Sequence, residues 1–410
     1  MSAGRRLPRI GYAPWGETLD ELVAAGRAAR EAGADTLWAG ELHRSATITA
    51  AALTSVADTA RIGTAVALAF VRSPVTTALE ALDLDELSRG RFVLGLGSGV
   101  RRLNEDWHRA AFDPPVRRLR ETVACVRAFT ARCAEGGTIE AGGPVTGISL
   151  RGYRRPFAPV RPRVPVHLAA VGPAMIRLAG EIADGWIGHE LGSPAHLQDT
   201  VLPLLAEGRA RADGAPGRPG GRGGPESVAP GRSDPPETTA PAEPATGPPS
   251  SSSRASEVSM ATPPAPPDVS EPTAPASPEA FEVTASACCA IHPDPRAAHR
   301  LAAGGVGFYA SVRTYSPLFA EHGLAAAQER VMEEFRRPGA RADRLGAVVD
   351  PAMTRALTLC GSPDQVARRL TEYAAVADSV KLTPPVHGLG PEEIRAAQAA
   401  VIALIKELHA

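Results

Sequence analysis

Eight apolar runs of strand length recur along this chain, at 8–13, 36–39, 62–70, 92–97, 165–171, 186–189, 281–291 and 380–382. Stretches with apolar residues at helical spacing separate them, so strand and helix alternate from end to end. The run at 62–70 shows almost no polar alternation, as expected of a parallel strand covered on both faces. This alternation predicts a (β/α)8 TIM barrel. A doubly wound open sheet is the other architecture with this pattern, but no G-x-G-x-x-G follows the first run.

The fifth run shows how the units are joined. Pro165-Val166-His167-Leu168-Ala169-Ala170-Val171 stops at Gly172-Pro173, and Ile176, Leu178, Ala179 and Ile182 then recur at helical spacing. Asp184-Gly185 ends that helix before the next run opens at Trp186. Gly172 permits close backbone approach, Pro173 suits a first helical position, and the N–H groups after it face outward with the helix dipole behind them. The junction is either an ordinary strand-to-helix turn of a parallel sheet or a seat for an anion.

Two stretches interrupt the repeat. After the fourth run, 100–163 is a long excursion with one helix expected over 115–133. From 213 to 280 there is no aromatic residue, Leu or Ile, and Pro, Gly, Ser, Thr and Ala dominate. Such a segment buries too little apolar surface to offset its ordering entropy, so a disordered insertion is expected there. Residues 1–212 and 281–410 then form one domain.

Composition narrows the function. The chain has 410 residues, 44% apolar and 22% charged, with 44 Lys and Arg against 45 Asp and Glu for a net charge of −1. No overall field favours nucleic acid or an anionic membrane surface. The start has two arginines but no apolar region after them, so neither a signal peptide nor a membrane span is expected, and the cytoplasm is the expected compartment. The five cysteines show no C-x-x-C spacing and read as buried thiols.

In a barrel the chemistry sits at the carboxyl ends of the strands. The polar residues falling there are Glu41, His43, Arg72, Ser98, Asn104, His189, Glu190, His292 and His387. The histidines lack local ligand spacing, so no metal is expected. Gly95-Leu96-Gly97-Ser98-Gly99 has its serine one place out of the nucleophile-elbow pattern, and this strand end reads as backbone cleared for a flat ligand.

These residues carry a resemblance. Ser88-Arg89-Gly90-Arg91 before Leu94-Gly95-Leu96-Gly97-Ser98-Gly99, then 164–170 with Gly172-Pro173, Leu178-Ala179-Gly180, Ala183-Asp184-Gly185 and the late Gly361-Ser362-Pro363-Asp364-Gln365-Val366, resemble the bacterial luciferase-like monooxygenase superfamily. Phe308-Tyr309-Ala310-Ser311, Tyr315 and Glu321-His322-Gly323 resemble its coenzyme F420-dependent oxidoreductase branch. The resemblance implies a flavin-type ring across the barrel mouth, with its phosphate near Gly172, Pro173, Ala174 and Met175. It implies cofactor contacts from Trp38, Ala69, Phe70, Gly97, Ser98, Gly99, Asn104 and Val171, and a bulge with a non-proline cis peptide near 67–70.

The expected activity is hydride transfer between F420 and a small-molecule substrate. Glu41 or His43 would be the proton-transfer group, with Trp38, Phe70 and Tyr309 shaping an apolar pocket. The alternatives are an FMN-dependent monooxygenase served by a flavin reductase, and a flavin-binding or partner-binding barrel without catalysis. A homodimer is compatible with each. The sequence departs from the sugar-phosphate dehydrogenases of the family, since Leu42 separates Glu41 from His43 and Val100 stands where they carry glutamate. A glucose-6-phosphate substrate is therefore not implied.

Overall fold

A computed structural model describes residues 7–213 and 280–410. The insertion expected over 213–280 lies, apart from its two end residues, outside the described residues. The described strands are β1 (Arg9–Tyr12), β2 (Thr36–Ala39), β3 (Arg61–Thr64), β4 (Phe92–Gly97), β5 (Val166–Ala169), β6 (Gly185–Ile187), β7 (Glu282–Ile291) and β8 (Ser379–Thr383). Each pairs in parallel with the next, and β8 returns to β1 with Arg9 opposite Ser379, so the sheet closes as a (β/α)8 barrel. Two short strands attach to this wall: Ala67–Leu68 beside β4, and Leu359–Gly361 beside β7.

Helix starts are set by local chemistry. Thr18 caps the helix Leu19–Glu31 by accepting from the Glu21 amide, and Ser73 caps Pro74–Leu87 from the Thr76 amide. Ser362 and Gln365 form a reciprocal capping box before Pro363–Tyr373. Within the excursion the expected helix is present as Pro115–Arg132, with Leu119, Val123, Val126 and Phe129 buried at helical spacing. The rest of the excursion, expected to be loop, contains an antiparallel hairpin, Thr138–Gly142 with Gly147–Arg151. In it Ile139, Ile148 and Leu150 pack on the core while Thr138, Glu140, Ser149 and Arg151 are exposed, a short polar–apolar alternation that the Gly- and Pro-rich chain around it obscures.

The barrel interior is layered. At the amino-terminal end the first residues of four strands meet: Glu282 of β7 takes two hydrogen bonds of 2.7 Å from Arg61 of β3, one from Ser379 of β8 at 3.0 Å, and pairs with Arg9 of β1 at 3.1 Å. In an eight-strand ring β3 and β7 stand opposite each other, so this ion pair crosses the floor. Above it Trp38 packs with Val93 and Ile187, and its ring is admitted because the neighbouring positions on β1 and β3 are Gly11 and Gly63.

His167 on β5 is buried near this floor, and burial pushes its imidazole down to about 4, while the surrounding arginines hold Glu282 down to about 2. His189, near the mouth, is likewise pushed down to about 4 by burial. All three values lie below those of the unfolded chain, so protons bind the unfolded state first. Stability is accordingly expected to fall as pH drops from about 6.5, where the histidines begin to protonate when unfolded, and to fall further below about 4.3 through Glu282. Thermal melts between pH 7 and pH 3 check this; a flat profile from pH 6.5 to 4.5 would contradict the buried neutral histidines.

Candidate active site

The carboxyl ends of the strands form the mouth. Just past β3 the peptide Ala65-Val66 is cis, and the chain then rejoins the sheet as Ala67–Leu68 beside Leu96 and Gly97 of β4. The bulge and cis peptide expected at 67–70 thus fall at 65–66. Thr64 fastens this place: its hydroxyl donates to the Gly95 carbonyl at 2.7 Å and accepts from the Gly95 amide at 2.9 Å. From the other side Glu41 accepts from the Leu68 amide at 2.7 Å, and both of its oxygens accept from Arg72. Burial alone would raise the Glu41 carboxyl, but Arg72 and the amide outweigh it and hold the group below its ordinary value. Glu41 is therefore an ionised brace for the bulge.

His43 is exposed and lies near His387, whose titration is lowered by burial first and by His43 in smaller part. Ala69 and Phe70 are buried; Phe70 meets the Phe112 ring edge-on at 5.9 Å and lies under the Arg118 guanidinium at 5.6 Å. The excursion thus covers the outer side of the bulge. At the end of β4, Gly97 is buried while Ser98 and Gly99 are half-buried. Asn104 is fully buried beneath them and donates to the carbonyls of Ser98 and Val100 at 2.8 and 3.0 Å, so it holds the glycine-rich turn in shape.

After β5 the helix Pro173–Ile182 begins as the sequence indicates. Gly172 is its N-cap with φ −80° and no side chain caps it. Gly172, Pro173 and Ala174 are exposed, Val171 and Met175 half-buried. A Cβ on Gly172 would meet nothing within 4 Å, so neither the backbone nor protein packing demands glycine there. The open space and the uncapped helix start fit the phosphate of a flavin-type cofactor.

Across the mouth, β6 to β8 bring together residues far apart in the chain. The His189 ring lies 4.3 Å from Tyr309 and 4.4 Å from Tyr315, and His387 stacks on Phe308 at 4.7 Å. Lys381 of β8, 5% exposed, reaches Glu190 at 3.6 Å. Burial alone would raise the Glu190 carboxyl, yet the Lys381 ammonium beside it keeps it below its ordinary value. Lys381 escaped the strand-end reading because it sits within a strand; a lysine in a doubly covered apolar run was the available signal. His292 does not join this group. It lines a separate cavity of about 480 Å³ between the helices Pro295–Ala310 and Pro391–His409. Among the described residues no cluster of His, Cys, Asp and Glu is arranged for a metal ion, and no helix is long and apolar enough to cross a membrane.

Comparison with known proteins identifies the family. The family model described as luciferase-like monooxygenase matches residues 2–221 and 267–379. A Mycobacterium tuberculosis protein named as a coenzyme F420-dependent oxidoreductase is 37% identical over 201 residues, 46% of this chain and 56% of its own. The chain thus spans little more than half the length of that relative. Among solved structures, the coenzyme F420-dependent tetrahydromethanopterin reductase of Methanopyrus kandleri superposes with TM-score 0.68 at 17% identity, covering 98% of each chain. An FMN complex of the oxygenating constituent of 3,6-diketocamphane monooxygenase from Pseudomonas putida superposes with TM-score 0.57 at 14% identity, covering 98% of this chain and 96% of its own. At these identities the structural likeness concerns the fold.

Proposed function

The chain belongs to the luciferase-like monooxygenase family, and on that premise we propose that it is a coenzyme F420-dependent oxidoreductase acting on a small organic substrate. The observation that carries this reading is the joint placement, at one barrel mouth, of a braced strand-three bulge and an open, uncapped helix start at Gly172. A flat ring against the bulge and an anion at the helix start are what a flavin-type cofactor needs. The name of the mycobacterial relative supports the deazaflavin over FMN.

When bound, the deazaflavin supplies a carbon centre that takes or gives a hydride. The chain supplies the rest. Gly172, Ala174 and Met175 hold the phosphate, Thr64, Glu41 and Arg72 keep the bulge in shape, and Gly97 to Gly99 leave room for the ring. His43 carries the proton, because both Glu41 oxygens are committed to Arg72. His43→Gln is expected to lower turnover without weakening cofactor binding.

The test is anaerobic: oxidised F420 with a panel of alcohols and amines, followed by loss of deazaflavin absorbance. Reduction without oxygen supports the proposal. Oxygen-dependent consumption of reduced FMN, with F420 inert, would replace it by the monooxygenase reading.

A further inference from the structure

Across the barrel from the bulge, one acid–base pair has no part in the hydride and proton steps above. Glu190 follows β6, and its carbonyl accepts from the Cys288 amide of β7 at 3.1 Å, which fixes the loop. Its carboxylate lies 3.6 Å from Lys381 Nζ of β8. The two partners differ in access: the Glu190 side chain is 26% exposed, that of Lys381 only 6%. The ammonium therefore sits behind, and the carboxylate is the face offered to the mouth. Beside Lys381 in register stands Ser286 of β7, 2% exposed, whose hydroxyl has no hydrogen-bond partner. This wall thus holds unused hydrogen-bonding capacity as well as charge.

The groups facing Glu190 from every neighbouring element are otherwise neutral near pH 7. Burial lowers the titration of His189 and His387 and raises that of Tyr309, Tyr315 and Cys288. Lys381 is the charged neighbour that remains. The frame is aromatic, with Tyr309 and Tyr315 on His189 and Phe308 on His387. A carboxylate in an aromatic frame favours ligands that donate hydrogen bonds or carry positive charge, and it repels anions.

Resting on the F420 reading, we infer that Glu190, braced by Lys381, is the specificity-determining residue of the substrate side. It accepts a hydrogen bond from a hydroxyl or amine of the substrate and excludes carboxylates and phosphates. The substrate class is accordingly a small neutral or cationic molecule with an apolar body, and not an organic acid or sugar phosphate.

The experiment titrates F420-loaded protein with two probes of like size, 1-amino-2-propanol and lactate, by calorimetry. The amine is expected to bind and lactate to bind at least tenfold more weakly. Glu190→Gln is expected to weaken the amine tenfold or more while F420 affinity stays unchanged. Lys381→Arg keeps a cation beside the carboxylate, so amine binding persists in it. Failure of F420 to bind sinks the cofactor reading itself. With F420 bound, the inference is overturned by amine binding that Glu190→Gln leaves unchanged, by equal binding of the two probes, or by binding of neither. Equal loss of the amine in both variants would also overturn it, since that marks the pair as purely structural.

Discussion

Gly95→Ala is expected to destabilise the protein by about 3 kcal/mol, the upper end of what overpacking a well-filled interior costs. A Cβ at this position would overlap the carbonyl oxygen of Thr64 and come within 2.8 Å of Ile187 Cδ1. The first obstacle is backbone, which cannot rotate away. The strands would have to separate at the place where the Thr64 hydroxyl joins both the amide and the carbonyl of Gly95. Because the bulge begins at the next residue, cofactor affinity should fall with stability. Chemical denaturation measures the first effect and titration of the folded fraction the second. A loss under about 0.5 kcal/mol, the range of ordinary surface substitutions, would show that β3 and β4 are not locked here as described.

Gly172→Asp is expected to act in opposite senses on stability and on binding. Nothing lies within 4 Å of a Cβ there, the backbone is extended at φ −80°, and the following helix has no side-chain cap. Aspartate is a strong N-cap, so stability should hold or rise by up to about 1 kcal/mol. The same carboxylate would occupy the amides that hold the phosphate and repel its charge. Charge-assisted hydrogen bonds contribute about 1.5–3 kcal/mol each, so losing two of them weakens the cofactor by roughly two to four orders of magnitude. Thermal melting with a binding titration separates the two effects. Undiminished affinity in a folded variant would remove the anion from this helix.

Much of the barrel was legible because its strands are covered on both faces and must read as apolar runs. The helix start at Gly172-Pro173 was legible because its chemistry is local, carried by two adjacent residues. The hairpin of the excursion was not, although Ile139, Ile148 and Leu150 alternate with polar residues, because each strand is five residues long and the surrounding chain is rich in Gly and Pro. The bulge was expected two residues late because Ala65 and Val66 have no local signature distinguishing them from the apolar run around them. Glu41 and His43 were found at the end of β2, but only the structure shows that Arg72 commits the first and leaves the second exposed. The pairing of Glu190 with Lys381 depends on closure of the barrel from β6 through β7 to β8, which no local pattern encodes.

The most direct measurement is a cofactor titration of the purified protein, run separately with F420 and with FMN, each oxidised and reduced. The account predicts saturable binding of the deazaflavin, much tighter than that of either form of FMN, and its loss in Gly172→Asp. Tighter binding of reduced FMN would contradict the account and make the barrel a monooxygenase site. Binding of neither would leave a luciferase-like barrel without flavin chemistry.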